Sequence, residues 1–143
     1  MFKKVFIDAN VILDIFDNSR SFSKYSIETI SYLLTNSAQL FTSSDLITTV
    51  YYILSKKNKN IALKSIKLSL DYLDLIPFSN FETAKAIKLM EADKSYKDFE
   101  DTLQYVLAKK NKCEIILSND NNFYGKDIEI ATTEKFCKIY IKN

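Results

Sequence analysis

Short apolar runs alternate with stretches of helical period along this chain, and that alternation constrains its fold more than any other feature. Val5-Phe6-Ile7, preceded by two lysines, predicts a strand over 3–7, and a turn at Asp8-Ala9-Asn10 leads into a short helix from about 10. Apolar positions at helical spacing predict helices over 22–37, 44–56, 59–73, 80–92 and 98–110. Strands are expected at 39–42, 75–78, 114–117 and 128–130, with a polar loop over 119–126 and a final helix or extended tail over 133–140. Strands separated by helices imply a parallel sheet with helices on both faces, an α/β fold. No linker, repeat or low-complexity tract interrupts the chain, so residues 1–143 are expected to form a single domain.

Composition then removes most catalytic chemistries. The chain has no histidine, which excludes a Ser-His-Asp triad, imidazole acid–base catalysis and His-ligated metals. Its one glycine, Gly125, excludes a Gly-rich phosphate loop or dinucleotide fingerprint. Two cysteines, Cys113 and Cys137, are too few for a zinc cluster or disulfide scaffold and suit a reducing cytoplasm. A net charge of +2 is too small to mark a nucleic-acid surface by itself. No apolar run is long enough to cross a membrane, and the expectation is a cytoplasmic protein. Carboxylates, Lys, Ser/Thr and Tyr remain to do chemistry.

The carboxylates stand where open parallel sheets build their sites, beyond the carboxyl ends of the strands. Asp8 ends the first strand, Asp45 begins the helix after the second, and Asp120 lies just past the fourth. Asp98 and Asp101 are three apart at a helix start and share a face. Crowded carboxylates without a cationic partner repel, and a divalent cation relieves this while supplying phosphoryl-transfer chemistry. Each acid also has a plainer reading: Asp8, Asp45 and Asp98 as helix caps, Asp120 as an Asx-turn residue. Taken together at strand exits, they favour a metal site, with Asp8, Asp101 and Asp120 within one ion's reach. Asp14 and Asp17 read as the polar face of the first helix, and Glu91, Asp93 and Glu100 as solvated charges.

Three segments carry a family resemblance: residues 5–13 (VFIDANVIL), 98–104 (DFEDTLQ) and 116–123 (ILSNDNNF). In this order and spacing they resemble PIN-domain proteins, in particular the VapC-like ribonuclease toxins of toxin–antitoxin pairs. The resemblance implies a three-layer α/β/α sandwich with a five-stranded parallel sheet of order 3-2-1-4-5. It implies Mg²⁺ or Mn²⁺ held by acids, hydrolysis of RNA phosphodiesters, a small antitoxin whose basic tail enters the acidic groove, and a homodimer. Asp8, Asp101 and Asp120 match the family's first, third and fourth acids, Asp98 matches an additional acid, and Asn10 and Ser118 match polar residues that hold acids or water.

Two positions depart from that pattern. Thr49 stands where the family's second acid is expected, and Asn122 where many relatives carry Asp. Asp45, one helical turn before Thr49, could supply the missing charge or could cap its helix. The departures keep a second reading open, a catalytically weakened PIN-like module that binds RNA or protein. A phospho-acceptor receiver domain ranks lower, because Asp8 has no acidic neighbour and no Lys follows the last strand in the required place. Tyr51, Tyr52, Tyr96, Phe123 and Tyr124 are candidates to stack on bases, with core packing as the rival role. Lys56, Lys57 and Lys59 form a basic cluster at a helix end, either solvated or facing phosphates.

Overall fold

The structure, a computed structural model, describes residues 1–141. In chain order it contains β1 (Lys4–Ile7), α1 (Ala9–Phe16), α2 (Ser23–Thr35), β2 (Gln39–Ser43), α3 (Ser44–Ser55), α4 (Lys59–Ser69) and β3 (Leu73–Ile76). Then follow α5 (Asn80–Ala92), α6 (Phe99–Lys110), β4 (Ile115–Leu117), β5 (Glu129–Ala131), α7 (Thr133–Phe136) and a wide π turn over Cys137–Ile141. The five strands form one sheet, every pairing parallel, in the order β3-β2-β1-β4-β5. This is the order the resemblance implied.

Consecutive residues of a strand point to opposite faces. Val5, Phe6 and Ile7 are all fully buried, as are Ile115, Ile116 and Leu117. Both faces of the central strands are therefore covered by helices, the reason these strands read as unbroken apolar runs. Burying each of these large side chains contributes about 1.5–3 kcal/mol. The Thr42 hydroxyl donates to the Ile7 carbonyl at 2.8 Å, fastening β2 to β1 just before Asp8.

Two helix-to-strand corners feed the strands that flank β1. Ser37 and Lys112 adopt left-handed φ values of 61° and 59°. At each, paired backbone bonds close the helix: Ala38 N to Leu33 O at 3.0 Å with Ser37 N to Leu34 O at 3.1 Å, and Cys113 N to Ala108 O at 2.9 Å with Lys112 N to Lys109 O at 3.1 Å. This is the Schellman closure that usually takes glycine. The chain's one glycine serves elsewhere. A Cβ at Gly125 would come within 2.8 Å of the Tyr105 ring and of the Ile128 side chain, so the loop entering β5 can cross Tyr105 closely only without one.

Boundaries differ from expectation in one region. The α4 helix ends at Ser69 and β3 covers Leu73–Ile76, two residues earlier than 75–78. Pro77 has no N–H for the ladder and lies just beyond the strand, while Leu73 pairs with Leu40. Of α6, the first turn is exposed, whereas Thr102 through Ala108 are all buried. Lys110 Nζ reaches Glu82 Oε2 at 3.1 Å, tying the far end of α6 to the capped start of α5.

Candidate metal centre

The sheet order reverses between β1 and β4, and the crevice beyond their carboxyl ends is where ligands enter such sheets. Asp8 sits there as the N-cap of α1 and is 6% exposed. Its Oδ1 accepts from Ala9 N at 2.7 Å, and its Oδ2 accepts from Ser118 Oγ at 2.8 Å and Asn10 Nδ2 at 3.1 Å. Asn10 also stitches β1 to the β4 exit, its Oδ1 accepting from Asn119 N at 2.9 Å. Ser118 Oγ in turn accepts from Asp120 N at 3.2 Å. Burial raises the Asp8 carboxyl, hydrogen bonds from Ser118, Ala9 and Gln104 oppose the rise, and the charge of Asp120 adds to it.

Asp98 caps α6, its Oδ1 accepting from Asp101 N at 2.9 Å. Asp101 follows in the first turn, half-buried. Its carboxyl is pushed up to about 7, first by burial and then by the charges of Asp98, Asp8, Asp120 and Glu100. Every one of these influences raises it. Asp120 makes the Asx turn, its Oδ1 accepting from Asn122 N at 2.9 Å, and it also acts electrostatically on Asp8 and Asp101. The Asx-turn role read from the sequence is therefore present. Asn122 is exposed and contributes a backbone donor.

On α3, Ser43 is the capping residue, and Asp45 lies in the first turn with its carboxylate accepting from the Ser43 hydroxyl. Thr49 lies one turn further along α3 and is half-buried. Glu100 departs from expectation in part. It is exposed, as expected of a solvated charge, but its carboxyl is raised by partial burial and then by the charges of Asp45, Asp8 and Asp98. Its signal in the sequence is its place in the first turn of the helix that carries Asp101. Asp14 departs the other way: it is 2% exposed and bonded to Arg20 Nε at 2.7 Å, Ser26 Oγ at 2.8 Å and Asn119 Nδ2 at 2.6 Å. It belongs to the interior, not to a polar helix face.

Asp98, Asp101 and Asp120 line a cleft of about 840 Å³ that continues past Lys94, Lys97 and Tyr124. Among the described residues no three acidic groups come close enough to hold one ion together, and none of Asp8, Asp98, Asp101 and Asp120 pairs with a Lys or Arg. Like charges keep the carboxylates apart, and Asp8 is held back by its own three donors. The set fits a hydrated hard cation: all donors are oxygens, the acids act on one another, and Asp101 resists ionisation without a counter-charge.

The aromatic candidates divide. Tyr96 is buried edge-on to Tyr124 at 4.8 Å, and Phe123 is buried as well. Tyr124 is half-buried beside the cleft, and Tyr51 is half-buried against the core. Tyr52 is exposed with Lys56 Nζ 4.6 Å above its ring, and Lys57 pairs with Asp17 at 3.2 Å. Among the described residues, no helix is long and apolar enough to cross a membrane.

Comparison with known proteins agrees with this geometry. A family model described as PIN domain matches residues 4–122. Ribonuclease VapC1 of Aquifex aeolicus (strain VF5) is 60% identical over 136 residues, covering 95% of this chain and 94% of that protein. Two solved structures share the fold. FitAcB from Neisseria gonorrhoeae has a TM-score of 0.71 at 14% identity, covering 91% of this chain and 98% of the other. VapBC2 from Rickettsia felis, bound to a DNA fragment from its promoter, has a TM-score of 0.68 at 16% identity, covering 90% and 98%. With its sheet order, its acids at the strand exits and a family match across most of its length, this chain belongs to the PIN-domain family.

Proposed function

We propose that this protein is a divalent-metal-dependent endoribonuclease, the toxin of a toxin–antitoxin pair, acting as a single domain in the cytoplasm. The observation that carries the reading is a set of carboxylates at the sheet's switch point, Asp8 and Asp101 raised by burial and by their acidic neighbours, with no lysine or arginine ion-paired to Asp8, Asp98, Asp101 or Asp120 among the described residues. Near-full-length identity of 60% to a ribonuclease supports it.

Asp8, Asp101 and Asp120, which are not within one ion's direct reach as they stand, would hold a hydrated Mg²⁺ or Mn²⁺ together with its water, with Asp98 one turn from Asp101. When bound, the ion supplies a more acidic water and shields charge on the phosphodiester. The chain's own residues do the rest. Ser118, Asn10 and Ala9 N hold the Asp8 carboxylate in one orientation. Asp98 holds the first turn of α6, and hence Asp101, through the Asp101 N–H. The cleft running to Lys94, Lys97 and Tyr124 receives an RNA strand, with the lysines beside phosphates and Tyr124 beside a base. A small antitoxin with a basic segment fits the same acids, and a homodimer is the proposed assembly.

The alternative, a weakened binding module, rests on Thr49 and Asn122. It loses weight because Glu100, on which Asp45, Asp8 and Asp98 all act, adds carboxylate charge near Asp8 beyond the acids that the family pattern names.

The test is cleavage of single-stranded RNA by purified protein with Mn²⁺ or Mg²⁺, with EDTA, and with Asp8→Asn. EDTA should abolish cleavage. Asp8→Asn should lower it by more than roughly 100-fold, beyond the loss typical of removing a group that only supports a ligand. Equal rates for Asp8→Asn and wild type would overturn the assignment.

A further inference from the structure

Gln104 lies on α6 three residues after Asp101 and four after Glu100, so it shares a side of the helix with them. It is 1% exposed. Three buried side-chain polar atoms lack a hydrogen-bond partner among the described residues, and two of them are Gln104 Nε2 and Oε1. The third, the Tyr72 hydroxyl, lies beside Ser69, away from the acids. The helix around Gln104 is otherwise filled by Leu103, Val106 and Leu107, all buried. A buried amide with both ends unpaired destabilises the fold, and an apolar side chain of the same size would pack there at lower cost.

Its neighbourhood accounts for its presence: the amide is buried on the side of α6 that carries Asp101, and it acts on the Asp8 carboxylate in favour of the charged form without closing a bond of ordinary length. Asp8 Oδ2 already takes two donors, while Oδ1 takes only Ala9 N and has acceptor capacity left. We propose that Gln104 is a positioning residue of the metal centre, its Nε2 donating to Asp8 when the carboxylate turns to bind a cation and its Oε1 remaining as an acceptor for water in that ion's shell. The proposal rests on the reading of Asp8 as a ligand. It explains why α6 carries a costly amide at a place where leucine would fit.

Gln104→Met removes the amide and keeps the volume, and Gln104→Leu serves as a second apolar variant. Both should melt at or above the wild-type temperature in EDTA. Both should bind Mn²⁺ about 10- to 100-fold more weakly by calorimetry, the range typical of removing a group that orients a metal ligand. In RNA cleavage kcat should fall with KM little changed. Combined with Asp8→Asn, Gln104→Met should add almost nothing to the loss of Mn²⁺ affinity, because the amide acts through Asp8. Two folded apolar variants that bind Mn²⁺ within twofold of wild type would overturn the proposal, as would losses that simply add. If Asp8→Asn itself leaves Mn²⁺ binding intact, the metal-centre reading fails and takes this proposal with it. Weakened Mn²⁺ binding in Asp8→Asn but not in the Gln104 variants overturns the Gln104 role alone.

Discussion

Two buried acids, Asp14 and Asp8, lie on either side of the loop that leaves β4, and they are treated differently by the fold. On one side Asp14 is surrounded by donors: Arg20, Ser26 and Asn119, with Asn119 itself held by Thr133 N at 2.8 Å. On the other, the carboxyls of Asp8, Glu100 and Asp101 are raised, first by burial and then by neighbouring acids that include Asp98 and Asp120, and none of these five acids receives a lysine or arginine among the described residues. The chain has one arginine, and it serves the first group. Burial alone therefore does not distinguish a structural acid from a functional one. The distinguishing property is whether the fold supplies the counter-charge or leaves it to come from solution.

This contrast predicts opposite responses to charge removal. The largest effect on stability should come from Asp14→Ala, which leaves Arg20, Ser26 and Asn119 without their common acceptor. A loss of about 3 kcal/mol is expected, close to that for breaking a buried ion pair, and a drop in Tm of roughly 10 °C by calorimetry. An unchanged Tm would erase the contrast from its structural side.

Asp101→Asn should act in the reverse direction and more weakly, raising Tm by a few degrees in EDTA while abolishing cleavage. The sign follows from linkage. Asp101 releases its proton near 3.8 when unfolded and near 7 when folded, so the folded state binds more protons between those values. Metal-free wild type should thus lose stability as pH rises from about 4 to about 7, and Asp101→Asn should flatten that slope. Saturating Mn²⁺ should flatten it as well, since a ligand that binds only the folded state stabilises it. Melting curves across that pH range with and without Mn²⁺ read all three.

The smallest effect should come from Glu100→Gln, a several-fold weakening of Mn²⁺ binding with little change in Tm. It sharpens the comparison by asking whether an exposed acid on which Asp45 and Asp8 act belongs to the functional group. Calorimetry giving wild-type affinity would return Glu100 to the solvated surface.

The sheet was legible in the sequence because central parallel strands must be apolar on both faces, which leaves unbroken runs such as Val5-Phe6-Ile7 and Ile115-Ile116-Leu117. The acids at the strand exits were legible for the same reason, since locating a strand locates its end. The edge was less so: at β3, Pro77 and a four-residue strand shifted the boundary by two positions. Asp14 was misread because its partner Asn119 lies 105 residues away, a relation that helical period cannot express. Glu100 is exposed as read, but its electrostatic coupling to Asp45 and Asp8 was not legible, because spacing along a helix says which residues share a side and not which neighbour that side meets. Gln104 stands in a matching segment, yet only its burial without a partner gives it meaning.

Asn119 has a mechanical consequence for its neighbour. Its amide and backbone are fixed by Asn10, Asp14, Ser26 and Thr133, and three and four residues on, Asn122 N and Phe123 N close the turn back onto Asp120. The backbone under Asp120 is clamped from both ends. At the proposed metal centre, loading would then call for rotation of side chains over a fixed rim and for no rearrangement of the backbone that carries Asp120.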